Sequence, residues 1–108
     1  MRKELERGLN IASLLRKYHP DFPPNGFAVF LQIASNEGLS STGLVERLGI
    51  PKATISRNLR MLGDRVSPHK DGLGLIKLEH DENDYRVRRA YLTDKGKRFL
   101  ERVLQALQ

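Results

Sequence analysis

Apolar residues follow two different periods along the chain, and the switch between them separates helices from a hairpin. Over residues 3–18, Leu5, Leu9, Ala12 and Leu15 recur at helical spacing, and Ile11, Leu14 and Tyr18 widen the stripe. Lys3, Arg7, Arg16 and Lys17 fall mostly outside it. The run His19-Pro20-Asp21-Phe22-Pro23-Pro24 ends this N-terminal helical segment (1–20), because proline removes an amide donor and restricts the residue before it. A second helix is predicted from about Asn25 to Asn36. Phe27, Phe30, Leu31 and Ala34 share one face, and Val29 and Ile33 fill much of the rest, which is the pattern of a buried helix. Gly38 suits a left-handed turn after it.

Ser40-Ser41-Thr42 supplies N-cap hydroxyls for a short helix over Gly43–Leu48, with Leu44, Val45 and Leu48 as its apolar residues. Gly49 permits a tight turn, and Pro51 opens a further helix, where its missing N–H costs nothing. Ile55, Leu59 and Leu62 lie on one face of that helix. Gly63, Pro68, Gly72 and Gly74 predict a loop over 63–74. Beyond it the period becomes two. Leu75 to His80 reads as a strand, Asp81-Glu82-Asn83-Asp84 as a polar turn and Val87 to Leu92 as the returning strand. Ile76, Leu78, Ala90 and Leu92 then face the helices. Thr93 caps a last helix lined by Phe99, Leu100, Val103, Leu104 and Leu107.

Composition narrows the class. The chain has 108 residues, 39% hydrophobic and 30% charged, which fits one folded domain over 1–108. The absence of cysteine rules out a disulfide framework, a thiolate metal site and a cysteine nucleophile. The longest apolar run, Phe27 to Leu31, is far short of a membrane span, and the charged N-terminus does not resemble a signal peptide. The expectation is a soluble, cytoplasmic protein without cofactor or metal. No phosphate loop, nucleophile elbow or dinucleotide fingerprint is present, and His19, His69 and His80 are scattered, so an enzyme is not indicated.

Charge points to an anionic partner. Nineteen Lys+Arg against thirteen Asp+Glu give +6 and a pI near 10.0. Residues 51–108 hold 13 of the basic and 8 of the acidic side chains, so the excess lies in the second half. The helix from Pro51 carries Lys52, Ala53, Thr54, Ser56, Arg57 and Arg60 away from its apolar face. That set is small, polar and cationic enough to enter a DNA major groove about 12 Å wide. By itself, helix–glycine–helix also describes an ordinary helical hairpin with a solvated face. The strand pair that follows adds a wing, with Asp84, Arg86, Arg88 and Arg89 at or near its tip. Arginine there can enter a narrow minor groove, and Asp84 is placed to pair with Arg86. Four carboxylates, Glu79, Asp81, Glu82 and Asp84, oppose a phosphate backbone, so only part of the tip is free to approach it.

The stretches Phe27–Leu62 and Gly74–Gly96 resemble the multiple antibiotic resistance regulator (MarR) type of winged-helix protein. Gly74-Leu75-Ile76, Asp84-Tyr85-Arg86 and Leu92-Thr93-Asp94-Lys95-Gly96 are similar to that family's Gly-Leu-Ile, Asp-x-Arg and Leu-Thr-x-x-Gly signature. The resemblance implies an α+β, mainly α fold. A helix-turn-helix lies within a helical core over 25–62, with a two-stranded wing over 74–92 and extra helices at both ends, the last over 93–108. It also implies a transcriptional regulator, usually a homodimer on palindromic double-stranded DNA, often released by a small ligand, with Arg86 as the wing arginine in the minor groove. The sequence departs from the pattern in its longer 63–73 loop and in a chain that stops after one C-terminal helix.

The outer helices carry apolar stripes beyond what one small core needs. Leu5, Leu9, Leu100, Leu104 and Leu107 are therefore expected to pair across a two-fold axis, setting two recognition helices about 34 Å apart, one turn of DNA. The rival readings are a winged helix that binds protein, and a DNA replication or packaging factor without regulatory duty. A protein binder would show apolar anchors over 52–60, where this chain shows cations and hydroxyls.

Overall fold

Phe30 and Phe99, 69 residues apart in sequence, meet edge to face with ring centroids 4.9 Å apart and join two helices. Both rings are fully buried. They belong to a computed structural model that describes residues 1–108. Its helices are α1 (Arg2–Tyr18), α2 (Pro24–Ser35), α3 (Ser41–Leu48), α4 (Lys52–Leu62) and α5 (Asp94–Ala106). Its strands are β1 (Leu39–Ser40), β2 (Arg65–Ser67), β3 (Lys70–Asp71), β4 (Ile76–His80) and β5 (Arg88–Leu92). No helix is long and apolar enough to cross a membrane.

The helices begin where the sequence supplies partners for free amides. The Ser40 hydroxyl accepts from the Gly43 amide at 3.1 Å and caps α3. Thr93 does the same for Gly96 at 3.0 Å and caps α5. Such caps contribute about 1 kcal/mol each. Pro24 occupies the first position of α2. Pro51 stands just ahead of α4 rather than inside it, with extended backbone at φ −56° and ψ 145°.

Thirteen buried apolar residues form the core. Val29, Phe30 and Ile33 come from α2, Leu44 from α3, and Ile55, Leu59 and Leu62 from α4. Leu75, just ahead of β4, and the sheet's Ile76, Ala90 and Leu92 follow, and α5 adds Phe99 and Val103. Burial of each large side chain stabilises by about 1.5–3 kcal/mol. Tyr18 and Phe22 extend the aromatic cluster, at 4.6 Å and 6.1 Å from Phe99. These contacts attach the end of α1, which itself buries no residue.

The predicted wing pairs as expected, with Ile76 opposite Leu92 and Leu78 opposite Ala90. Two features depart from expectation. β1 adds a third strand, Leu39 opposite Ala90, on the far side of β5. And the predicted loop at 63–74 contains a hairpin of its own, β2 with β3, irregular between Arg65 and Ser67. This second hairpin is joined to α4 by backbone bonds. The amides of Leu73, Leu75 and Gly74 donate to the carbonyls of Met61, Leu62 and Gly63, each at 2.8 Å. Those acceptors lie at the end of α4, where helix carbonyls lack internal partners.

Candidate nucleic-acid interface

The turn between α3 and α4 depends on Gly49, which caps α3 in the left-handed region at φ 65° and donates its amide to the Val45 carbonyl at 2.8 Å. Leu44, Ile55 and Leu59 lock the two helices together beneath it. With that face fixed inward, Lys52, Ala53, Arg57 and Arg60 stand exposed on the other side of α4, and Thr54 and Ser56 are half-buried beside them. Lys52, Arg57 and Arg60 make no ion pair. One Arg57 Nη2 hydrogen bond reaches the Thr54 hydroxyl at 3.3 Å, so the guanidinium is steadied while its other donors stay free. Asn58, buried under the same face, donates from Nδ2 to the Thr54 carbonyl at 2.9 Å.

The wing rises beside α4. Arg86 is 90% exposed and turns back on Asp84, with Nε 3.2 Å from Oδ1 and Nη2 3.4 Å from Oδ2. The expected pair is therefore present, and it holds the guanidinium at the tip. Arg88 is exposed and without an ion pair. Arg89 is placed differently. Its Nε donates to Asp81 Oδ2 at 2.6 Å and its Nη1 to the Gly38 carbonyl at 2.9 Å. That guanidinium belongs to the framework of the wing, and period-two alternation explains why it lies opposite Arg88.

Most of the acidity at the tip is neutralised locally. Asp81 is held by Arg89, Asp84 by Arg86, and Glu79 lies 3.5 Å from Lys77, which leaves Glu82 without a cation. The Asp81 carboxyl sits below the usual carboxylate range, first because Arg89 donates to it and then because the Asn83 and Asp84 amides do.

Between α4 and the wing lies a hollow of about 160 Å³, bordered by Ser41, Ser56, Arg60 and Arg88. Ser41 was not among the residues expected here. Its position directly after the cap of α3 is the signal that places its side chain at this edge. The apolar residues proposed for pairing divide into two groups. Leu5, Leu9, Leu104 and Leu107 are between 49% and 67% exposed, whereas Leu100 packs against the core. No three His, Asp or Glu side chains come together in a way that could hold a metal ion.

The first and last parts of the signature converge on one junction, while Asp84 and Arg86 stand at the tip of the wing. The Thr93 hydroxyl donates to the Gly74 carbonyl at 2.6 Å, and the Thr93 amide donates to the Leu75 carbonyl at 3.1 Å. Gly96 packs so tightly on the Leu75 carbonyl that a Cβ would overlap it. A helix-turn-helix with a wing set beside its second helix defines a winged-helix protein, and the fold is that of the MarR-type regulators.

Comparison with known proteins supports this. No family model matches the chain. Transcriptional regulator HosA of Escherichia coli O157:H7 is 32% identical over 81 residues, covering 75% of this chain and 54% of that protein. The chain thus spans about half the length of the curated relatives it matches. A MarR transcriptional regulator from Methanosarcina mazei Go1 superposes with a TM-score of 0.73 at 23% identity, over 91% of this chain and 63% of that one. The transcriptional repressor CouR, solved bound to a 23-mer DNA duplex, gives 0.71 at 24% identity, over 98% and 65%. PcaV from Streptomyces coelicolor, solved with its natural ligand, gives 0.67 at 26%, over 95% and 70%.

Proposed function

We infer that the chain is a sequence-specific double-stranded DNA-binding transcriptional regulator that acts as a homodimer and represses. In this reading α4 enters the major groove. Thr54, Ser56 and Arg57 read base edges, while Lys52, Arg60 and Arg88 contact phosphates. Arg86 follows the adjacent minor groove, steadied by Asp84. Arg89 holds the wing in place. The exposed leucines of α1 and α5 supply the two-fold contact.

The observation that carries this reading is the uncovered face of α4, where Lys52, Arg57 and Arg60 stand exposed with no carboxylate paired to them. A protein-binding winged helix would present apolar anchors there, and Ala53 is the one exposed apolar side chain among 52–60. CouR, described as a repressor and bound to a duplex, shares the fold.

Selection of bound sites from random duplex DNA at fixed salt tests the reading. The expected result is an enriched palindrome with half-sites about one helical turn apart. Recovery of no enriched sequence would overturn sequence-specific binding. An enriched single half-site would overturn the homodimer.

A further inference from the structure

The β2–β3 hairpin is the part of the molecule that the signature does not account for, and it stands beside the candidate interface. It is held rigidly. Besides the three amides that donate to the end of α4, Gly72 donates to the Asp64 carbonyl at 2.8 Å. Gly72 itself lies so close to the Gly63 and Arg60 carbonyls that a Cβ would overlap them. The hairpin cannot swing without breaking that packing.

Between its base and the wing lies a recess of about 380 Å³. Arg60 from α4, Arg65 from β2, Lys77 from β4 and Arg88 from β5 all border it, against the single carboxylate of Asp64. Arg60, Arg65 and Arg88 make no ion pair, and Lys77 reaches only Glu79, at 3.5 Å. Like charges fixed around one concavity repel one another and raise the local potential, so the arrangement favours an anion that spans it. Arg60 and Arg88 also border the hollow between α4 and the wing, so the two concavities are neighbours that share these two cations. A free small anion would occupy one of the two concavities. A phosphodiester backbone carries charges at regular intervals and would engage the cations of both.

We propose that the β2–β3 hairpin acts as a second wing, with Arg65 contacting DNA phosphates next to those met by Arg60 and Arg88. The proposal rests on the DNA-binding reading and deepens it, by extending the footprint beyond the helix-turn-helix and the first wing. Asp64 opposes the same phosphates and moderates the affinity.

The test measures affinity for a mixed-sequence duplex of about 30 base pairs across a salt series, because each phosphate contact contributes about 0.9 to the slope of log affinity against log salt. Four chains are compared, namely the unaltered protein, Arg65→Ala, Arg65→Lys and Asp64→Asn, each with a thermal melt to confirm folding. Arg65→Ala is expected to weaken binding roughly three- to tenfold near physiological salt and to reduce the slope by about one per bound protomer. Arg65→Lys should restore the slope, and Asp64→Asn should tighten binding. Opposite signs at Arg65 and Asp64 follow from net charge alone, so the loss of slope at Arg65 and its recovery with lysine are the readouts that mark a phosphate contact. Unchanged slope and affinity in all variants would overturn the second wing alone. Failure of the unaltered protein to bind duplex would remove the DNA reading and this proposal together. Suppression of the Arg65 effect by millimolar inorganic phosphate, with the salt slope unmoved, would reassign the recess to a free anion and overturn the proposal.

Discussion

Arg89 Nε lies 2.6 Å from Asp81 Oδ2, and the same guanidinium reaches the Gly38 carbonyl at 2.9 Å. One side chain therefore ties the turn of the wing to the segment that leads into β1. Arg89→Ala should destabilise the fold by about 1–2 kcal/mol, since charge-assisted bonds are strong but this pair is partly solvated. Arg88→Ala should leave the melting temperature unchanged and weaken DNA binding instead. Thermal melts and duplex titrations of the two variants check the contrast.

The same pair sets a pH dependence. Arg89 and two turn amides lower the Asp81 carboxyl in the folded state. A depressed carboxyl contributes stability at pH above its unfolded value, near 4, and loses it as pH falls through the folded value. The wing should therefore loosen below about pH 4. Hydrogen exchange of the β4 and β5 amides, followed downward from pH 5, should show this opening, and Asp81→Asn should flatten the dependence. An identical acid profile in both proteins would contradict it.

Arg57 is held by Thr54 and keeps donors free. Arg57→Ala should weaken binding to a selected site by about 1–3 kcal/mol and relax preference at one base pair. Equal loss on every sequence would assign it to the phosphate backbone.

Two glycines should respond in opposite directions. A Cβ at Gly96 overlaps the Leu75 carbonyl, so Gly96→Ala should destabilise by about 1–3 kcal/mol or more. A Cβ at Gly8, within α1, meets nothing within 4 Å. Gly8→Ala should stabilise that helix by about 0.5–1 kcal/mol. Urea denaturation of the first variant and circular dichroism of the second provide the check.

The exposed leucines give a test of assembly. Leu9→Glu and Leu104→Glu place charge on surfaces that the core does not use. If the proposed homodimer forms through these stripes, each should shift the protein toward monomer in sedimentation without lowering the melting temperature of the monomer. A variant that sediments as the unaltered protein does would remove these residues from the contact.

The helices were legible because their apolar stripes are long enough to display a period, as in Phe27, Phe30 and Ala34 along α2. The wing was legible because Ile76, Leu78, Ala90 and Leu92 alternate cleanly. β1 was not, since two residues cannot show alternation and its partner lies 51 positions away. The β2–β3 hairpin was hidden because Pro68 and Gly72 mark irregular chain equally well with or without short strands. Among the wing arginines, sequence grouped Arg89 with Arg86 and Arg88 by proximity. Its partner Gly38 comes from a distant segment, which only the fold brings near. The signature itself proved mostly architectural, with Gly74, Leu75, Thr93 and Gly96 meeting at one junction.

The backbone splice at residues 73–75 has a mechanical consequence. Because the chain leaving α4 bonds straight back to its final turn, any tilt of that helix carries the first strand of the wing with it. On the proposed DNA-binding reading, leaving a duplex then means moving α4 and the wing together as one body, rather than bending one away from the other.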